Sequence, residues 1–198
     1  MSSAARRTIH REDILSLEDY ERVRSERRTA IRAMKRQRRL EVGPFASFSF
    51  ENYDTLWLQI HEMLRIEKGG ESQIADELAA YAPLVPNGSE LVATVMLEIE
   101  DATHRTQWLS RLGGIEERMV IQLGNDIIPG RPEADIERST PEGKTSAVHF
   151  LHFAFTPDQI ARFRDPAQPA MAGITHPGYG HMAILPETVR QALAADFD

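Results

Sequence analysis

The chain contains no cysteine among its 198 residues. That absence excludes disulfides, a thiol nucleophile, and iron–sulfur or zinc sites built on thiolates. A metal bound here would need His, Asp or Glu ligands, so a non-haem metal stays open while a Cys-ligated iron–sulfur cluster does not. Long apolar runs are also missing. The run over 151–155 is broken by His152, and nothing approaches the roughly 18 apolar residues of a membrane span. The N-terminus turns charged at Arg6 and Arg7 without the apolar stretch of a secretory signal, so a cytoplasmic setting is expected. Neither a GxGxxG nor a phosphate-loop pattern occurs, and no internal repeat or βαβ alternation is visible. Nucleotide enzymes of those kinds are therefore not indicated.

What is present reads as a folded domain. Hydrophobic residues make up 41% and charged residues 27%, close to the globular average. The net charge of −7 hides an asymmetry: residues 1–41 carry 12 Lys/Arg and 7 Asp/Glu, and the remainder carries 11 and 23. A basic arm precedes an acidic body, and the two either attract each other or face different partners.

Periodicity divides the chain. Residues 1–16 are polar and expected to fray. Leu17, Tyr20, Val23, Arg27, Ile31 and Met34 recur at helical spacing within 17–40, and Gly43-Pro44 stops the pattern. An aromatic connector over 45–50 follows. Tyr53, Leu56, Trp57, Ile60, Met63 and Leu64 share one helical face within 51–68, and a third helix spans 72–81. Strands are then expected over 90–100, 118–123, 146–155, 170–174 and 181–185, with short helices over 101–112 and 156–163. A long loop or hairpin with a mobile tip fills 124–144, and a last helix runs from Pro186 to Ala194. The sum is a single α+β domain over 17–198, in which N-terminal helices pack with a mostly antiparallel sheet and a C-terminal helix. Its helical part is 17–86 and its sheet-containing part 87–198.

Scattered motifs carry a resemblance. They include Lys35-Arg36 and Arg38-Arg39 ahead of Gly43-Pro44, then Phe50-Glu51-Asn52, Thr55 and 59–63. Glu77-Leu78, Tyr81, Ala93-Thr94, 98–101, His176-Pro177 with Tyr179, and Leu185-Pro186 complete the set. Together they resemble an uncharacterised bacterial domain-of-unknown-function family of about this length. The resemblance implies a gene neighbourhood of rubrerythrin-like and iron–sulfur proteins, and so a partner of that kind in iron-dependent redox or peroxide defence. It implies no catalytic residue. His181 follows Gly180 where relatives are expected to differ, which sets it apart from any shared site.

Four groups of residues are candidates for chemistry. Glu51, Gln59 and Glu62 fall within about 80° on an ideal helix. They either bind a hard metal, dock a basic partner, form a solvated face, or pair with Arg32, Lys35, Arg36 or Arg39. No Glu-x-x-His motif of a di-iron bundle occurs on this helix, because His61 precedes Glu62. The second group is histidine. If 177–180 closes a hairpin, His176 and His181 become cross-strand neighbours that approach one metal, with His149 or His152 as a third ligand. Those two are three apart on a strand and so face opposite ways. The plainer reading has His176 bonding a turn while Tyr179 packs on it. Third, Glu98 and Glu100 share a strand face with acid–base potential, and Asp101 suits a helix cap. Fourth, nine Lys/Arg between Arg22 and Arg39 admit an anionic partner, although interleaved acids and sparse aromatics weigh against nucleic acid. A solvated helix, or a subunit interface of a homo-oligomer, is the preferred role for that segment.

Two readings of function follow: a non-catalytic accessory or binding protein, and a metal-dependent enzyme centred on a His/carboxylate site. Nucleic-acid binding through the basic helix ranks behind both.

Overall fold

In a computed structural model, residues 6–133 and 143–197 are described. From the N-terminus the chain forms α1 (Leu17–Arg36), β1 (Arg39–Val42), β2 (Ala46–Phe50), α2 (Tyr53–Glu67), α3 (Gly70–Tyr81) and β3 (Glu90–Leu97). It continues through α4 (Ala102–Leu109), β4 (Met119–Leu123), β5 (Asp126–Pro129), β6 (Arg131–Pro132) and β7 (Val148–Ala154). It ends with α5 (Pro157–Arg164), β8 (Ala170–His176), β9 (Tyr179–Ile184) and α6 (Glu187–Ala194). The fold is α+β.

The strands make two antiparallel sheets, ordered β1-β2-β3-β7-β6 and β5-β4-β8-β9. Alternation decides what each sheet buries. Leu40, Val42, Phe48, Phe50, Leu91, Val95, Leu151 and Phe153 point inward from the first. Met119, Ile121, Leu123, Ala172 and Ile174 point inward from the second, and all join one core. At Gly130 the chain passes from one sheet to the other. Its N–H donates to the Met119 carbonyl at 2.8 Å, and a Cβ there would lie 2.9 Å from the Phe153 ring. At the far edge β1 lies against β9.

The outer face of the five-stranded sheet carries the helices. Tyr20 of α1, Tyr53, Leu56, Trp57 and Ile60 of α2, and Val92 of β3 form a second core there. Opposite-end helices α5 and α6 close over Phe155, Phe163 and Phe197. The buried Arg190 guanidinium donates to the carbonyls of Arg162, Phe163 and Asp165, which locks the turn between α5 and β8.

Several boundaries differ from the sequence expectation. The first helix ends at Arg36, not at residue 40, because Arg38, Leu40 and Val42 turn inward with strand periodicity. The expected connector over 45–50 is β2, whose Phe48 and Phe50 alternate with Ser47 and Ser49. Two strands therefore lie inside the span read as helical. The described part of the expected frayed segment, 6–16, is tied down: Ile9 and Ile14 are buried, and Trp57 Nε1 donates to the Asp13 carbonyl at 2.8 Å. Strand β3 stops at Leu97, so Glu98 and Glu100 share no strand face. Within 124–144 the chain forms β5 and β6, and β5 is joined to β4 by a two-residue turn at Gly124-Asn125 with Gly124 at φ +58°. The tip expected to be mobile falls within 134–142, outside the described residues.

Candidate ligand-binding site

The site is built where α2 meets the five-stranded sheet. Asn52 caps α2, its side chain accepting from the Thr55 N–H while Thr55 Oγ1 accepts from the Asn52 N–H. This reciprocal box fixes the chain entering the helix, so Glu51 stays in extended backbone, hydrogen-bonded to the Val92 carbonyl. Its side chain is therefore not on the helix at all. It is turned toward the sheet and is only 7% exposed.

Glu51 is held by two hydroxyls from different elements. Thr94 Oγ1 of β3 donates to Oε1 at 2.7 Å, and Thr55 Oγ1 donates to Oε2. Among the described residues no cation lies within ion-pair distance of this carboxylate. Beside it opens a cavity of about 390 Å³, lined by Ser49, Glu51, Thr55, Gln59, Thr94 and Lys35 on its polar sides. Leu56, Tyr81, Met96, Val148 and Phe150 supply the apolar walls. Burial pushes the Tyr81 phenol up; the Gln59 side chain opposes this, and the negative charges of Glu77, Glu67 and Glu51 add to it.

The structure therefore brings Glu51, Gln59 and Lys35 together and separates Glu62 from them. Glu62 faces α1, where Arg24 donates to both its oxygens at 2.7 and 2.9 Å and the Tyr20 hydroxyl donates at 2.6 Å. The Arg24 guanidinium, aided by Tyr20, pulls the Glu62 carboxyl down to about 2. Its lone pairs are committed to structure. A solvated face is excluded for Glu51 and Thr55, which are buried. Of the paired cations expected on the basic segment, Arg39 bonds Glu98 at 2.5 Å, and Arg32 and Arg36 are exposed on α1.

Neighbouring His61 belongs to the core. Its Nδ1 donates to the Trp57 carbonyl at 2.7 Å and its Nε2 accepts from the Leu15 N–H at 3.0 Å. Both nitrogens are satisfied only in the neutral ring, and burial pushes its pKa down. It floors a second cleft of about 400 Å³, largely apolar, between the start of α1 and helices α2 and α3.

The histidines of the C-terminal half do not converge. His176 pairs with Tyr179, and His181 with Ile174, so the two histidines are diagonal rather than opposed. The hairpin turn is Pro177-Gly178, and His176 Nδ1 accepts from the Gly178 N–H at 3.0 Å. Tyr179 packs on His181 instead, with ring centroids 4.5 Å apart. His149 points into the core, bonded to the Ser146 carbonyl at 2.9 Å. On the opposite face His152 sits between Glu90 at 3.0 Å and Glu133 at 2.7 Å. Among the described residues no group of three or more His, Asp or Glu side chains is placed to hold a metal. Asp101 caps α4, accepting from the His104 N–H at 2.7 Å.

Sequence reasoning did not find Thr94, Tyr81 or Ser49 as site residues. Thr94 was visible as the polar residue in an otherwise apolar strand, yet its partner was fixed only by the sheet register.

Similarity to known proteins supports the fold and adds no activity. A crystal structure of a novel protein of unknown function from Burkholderia pseudomallei K96243 superposes with a TM-score of 0.88 at 38% identity. The alignment covers 96% of this chain and 100% of that one. Among curated proteins none matches. A family model described as a protein of unknown function, DUF3501, matches residues 8–197, and the chain belongs to that family.

Proposed function

We propose that the protein is a small-ligand-binding accessory protein, and that its ligand site is the Glu51 cavity. One observation carries the reading. A carboxylate that is 7% exposed is oriented by two hydroxyls and faces a preformed cavity, with no counter-charge in contact among the described residues. Burying a charge without an opposite partner costs several kcal/mol. A neutral side chain would serve folding better at this place, so the cost is understood if a ligand offsets it. The cavity volume lies at the low end of the roughly 300–1,000 Å³ of small-molecule sites, so the ligand is small.

The same reading accommodates the setting implied by the family resemblance. A cytoplasmic partner of the rubrerythrin-like or iron–sulfur kind would supply the redox centre, since a cysteine-free chain builds no thiolate cluster. The metal-enzyme reading has less support, because Glu62 is committed to Arg24 and His176 to its turn.

The test is a nitrogen-15 NMR titration of the untagged protein with amines, carboxylic acids, amino acids, sugars and nucleosides. At least one class should move the amide signals of Glu51, Thr55 and Thr94. Those shifts should vanish in Gln59→Trp, which fills the cavity from a half-buried position. Signals that stay still throughout, or move only elsewhere, would overturn the assignment.

A further inference from the structure

We propose that the Glu51 cavity takes a small zwitterion of the amino-acid class, its ammonium group on Glu51 and its anionic end at Lys35. The inference rests on the cavity being the ligand site, and it specifies what enters.

The lining carries charged side chains of both signs, Glu51 and Lys35. Glu51 Oε1 and Oε2 each accept one hydroxyl hydrogen bond. A carboxylate offers about four acceptor directions, so lone pairs remain. The hydroxyls of Thr55 and Thr94 spend their protons on Glu51. What Thr94 leaves toward a ligand is acceptor capacity, while Thr55 Oγ1 already accepts from the Asn52 N–H. Acceptors grouped around an ionised carboxylate suit a group rich in donors, and an ammonium has three. The negative charges of Glu77, Glu67 and Glu51 also act on Tyr81. An anion placed against Glu51 would meet like charge in a low-dielectric site, which costs far more than in water.

Leu56, Met96, Val148 and Phe150 are the hydrocarbon part of the lining and suit a short carbon chain. Lys35 is the cationic side chain of the lining. It is exposed and makes no ion pair with a described residue. A ligand matched to this lining carries a positive group, a short apolar span and a negative group.

Four unbranched four-carbon probes separate the contributions: 4-aminobutyrate, n-butylamine, butyrate and 1-butanol. Each is titrated into the nitrogen-15-labelled protein and into Glu51→Gln and Lys35→Ala, with the amide spectrum confirming that each variant is folded. The expected order of affinity is 4-aminobutyrate, then n-butylamine, with butyrate and 1-butanol leaving the Glu51, Thr55 and Thr94 signals unmoved. Glu51→Gln should weaken both amines about tenfold or more, the loss of one charge-assisted contact. Lys35→Ala should bring 4-aminobutyrate down to n-butylamine and leave n-butylamine unchanged.

Butyrate binding in the cavity more tightly than n-butylamine would overturn the assignment of ligand class while leaving the cavity as a binding site. Failure of all four probes to move the cavity signals would overturn the class as well. The broader titration with sugars and nucleosides would then decide whether the cavity binds anything. Equal n-butylamine affinity in Glu51→Gln would remove Glu51 as the anchor.

Discussion

The hydroxyl of Thr94, on the central strand of the larger sheet, donates to Glu51 Oε1 at 2.7 Å. The contact joins a strand to the entry of the helix packed over it, and it is made to a charge that is nearly withdrawn from water. Thr94→Val keeps the shape of the side chain and removes the donor. Leaving a buried carboxylate short of a bond costs about 1.5–3 kcal/mol, and urea denaturation of Thr94→Val should show a loss of that size with an unchanged slope. A loss below about 0.5 kcal/mol would mean that Glu51 rearranges into another partner.

Tyr179 staples the two sheets at the edge where β1 meets β9. Its hydroxyl donates to the Val42 carbonyl at 2.6 Å and accepts from the amides of Phe45 and Ala46 at 3.2 and 3.0 Å. Gly43, at φ +70°, lies under it, and a Cβ there would sit 2.6 Å from the Tyr179 oxygen and 2.7 Å from the His181 ring. Tyr179→Phe should cost about 1–3 kcal/mol through unsatisfied backbone groups. Gly43→Ala should cost more than about 1 kcal/mol through both conformation and contact. The double variant should be less destabilised than the sum, because Tyr179→Phe removes one of the clashing atoms. Thermal melts of the four proteins check this, and strict additivity would contradict it.

Arg38 ties the first hairpin to the C-terminus. Its guanidinium donates to the carbonyls of Phe50 at 3.0 Å, Glu51 at 3.0 Å and Ala192 at 3.2 Å, and it pairs with Asp196, both side chains being buried. Removing one member of a buried pair strands the other. Arg38→Met should therefore cost about 3–5 kcal/mol. Arg38→Lys should recover only part of this, since an ammonium cannot match the planar fork. Chemical denaturation distinguishes the two, and a fully stable Arg38→Lys would refute the geometric argument.

Two histidines give the stability curve opposite slopes. His152, bonded to Glu90 and Glu133, has its pKa raised, with Glu90 the largest cause. A raised histidine contributes fully below its unfolded value of about 6.5 and loses that contribution as pH climbs through the folded value. His61 has its pKa lowered by burial, so its contribution is present above about 6.5 and fades as pH falls toward the folded value. His152→Gln should flatten the loss of stability above pH of about 6.5 and leave the acid side unchanged. A steeper alkaline loss in that variant would contradict the assignment.

How much of this was legible beforehand depended on the range of the interaction. Helical spacing placed α1 and α2, and alternation placed β3, because those signals are local. The strand over Arg39–Val42 was hidden by its charge. Arg38 and Arg39 look like helix surface until Asp196, more than 150 residues away in sequence, is seen to bury one of them. Glu51 was legible as a candidate, but for the wrong geometry. Helical phase grouped it with Glu62, while the Asn52–Thr55 capping box starts the helix later and turns Glu51 toward Thr94. Gln59 was grouped with Glu51 and Glu62 on one helix face, and Lys35 was one of four cations offered to those acids; Gln59 and Lys35 share the Glu51 cavity. The histidines misled for a related reason: a hairpin was expected, but its register, which makes His176 and His181 diagonal, follows from a turn closed by Pro177 and Gly178 alone.

The most direct test of the central claim is the stability of Glu51→Gln without ligand, measured by urea denaturation at neutral pH. If the carboxylate is kept for binding, the neutral variant should equal or exceed the parent, by up to about 2 kcal/mol. A loss of more than about 2 kcal/mol would show that the charge serves the fold, and the Glu51 cavity would lose its claim as the ligand site.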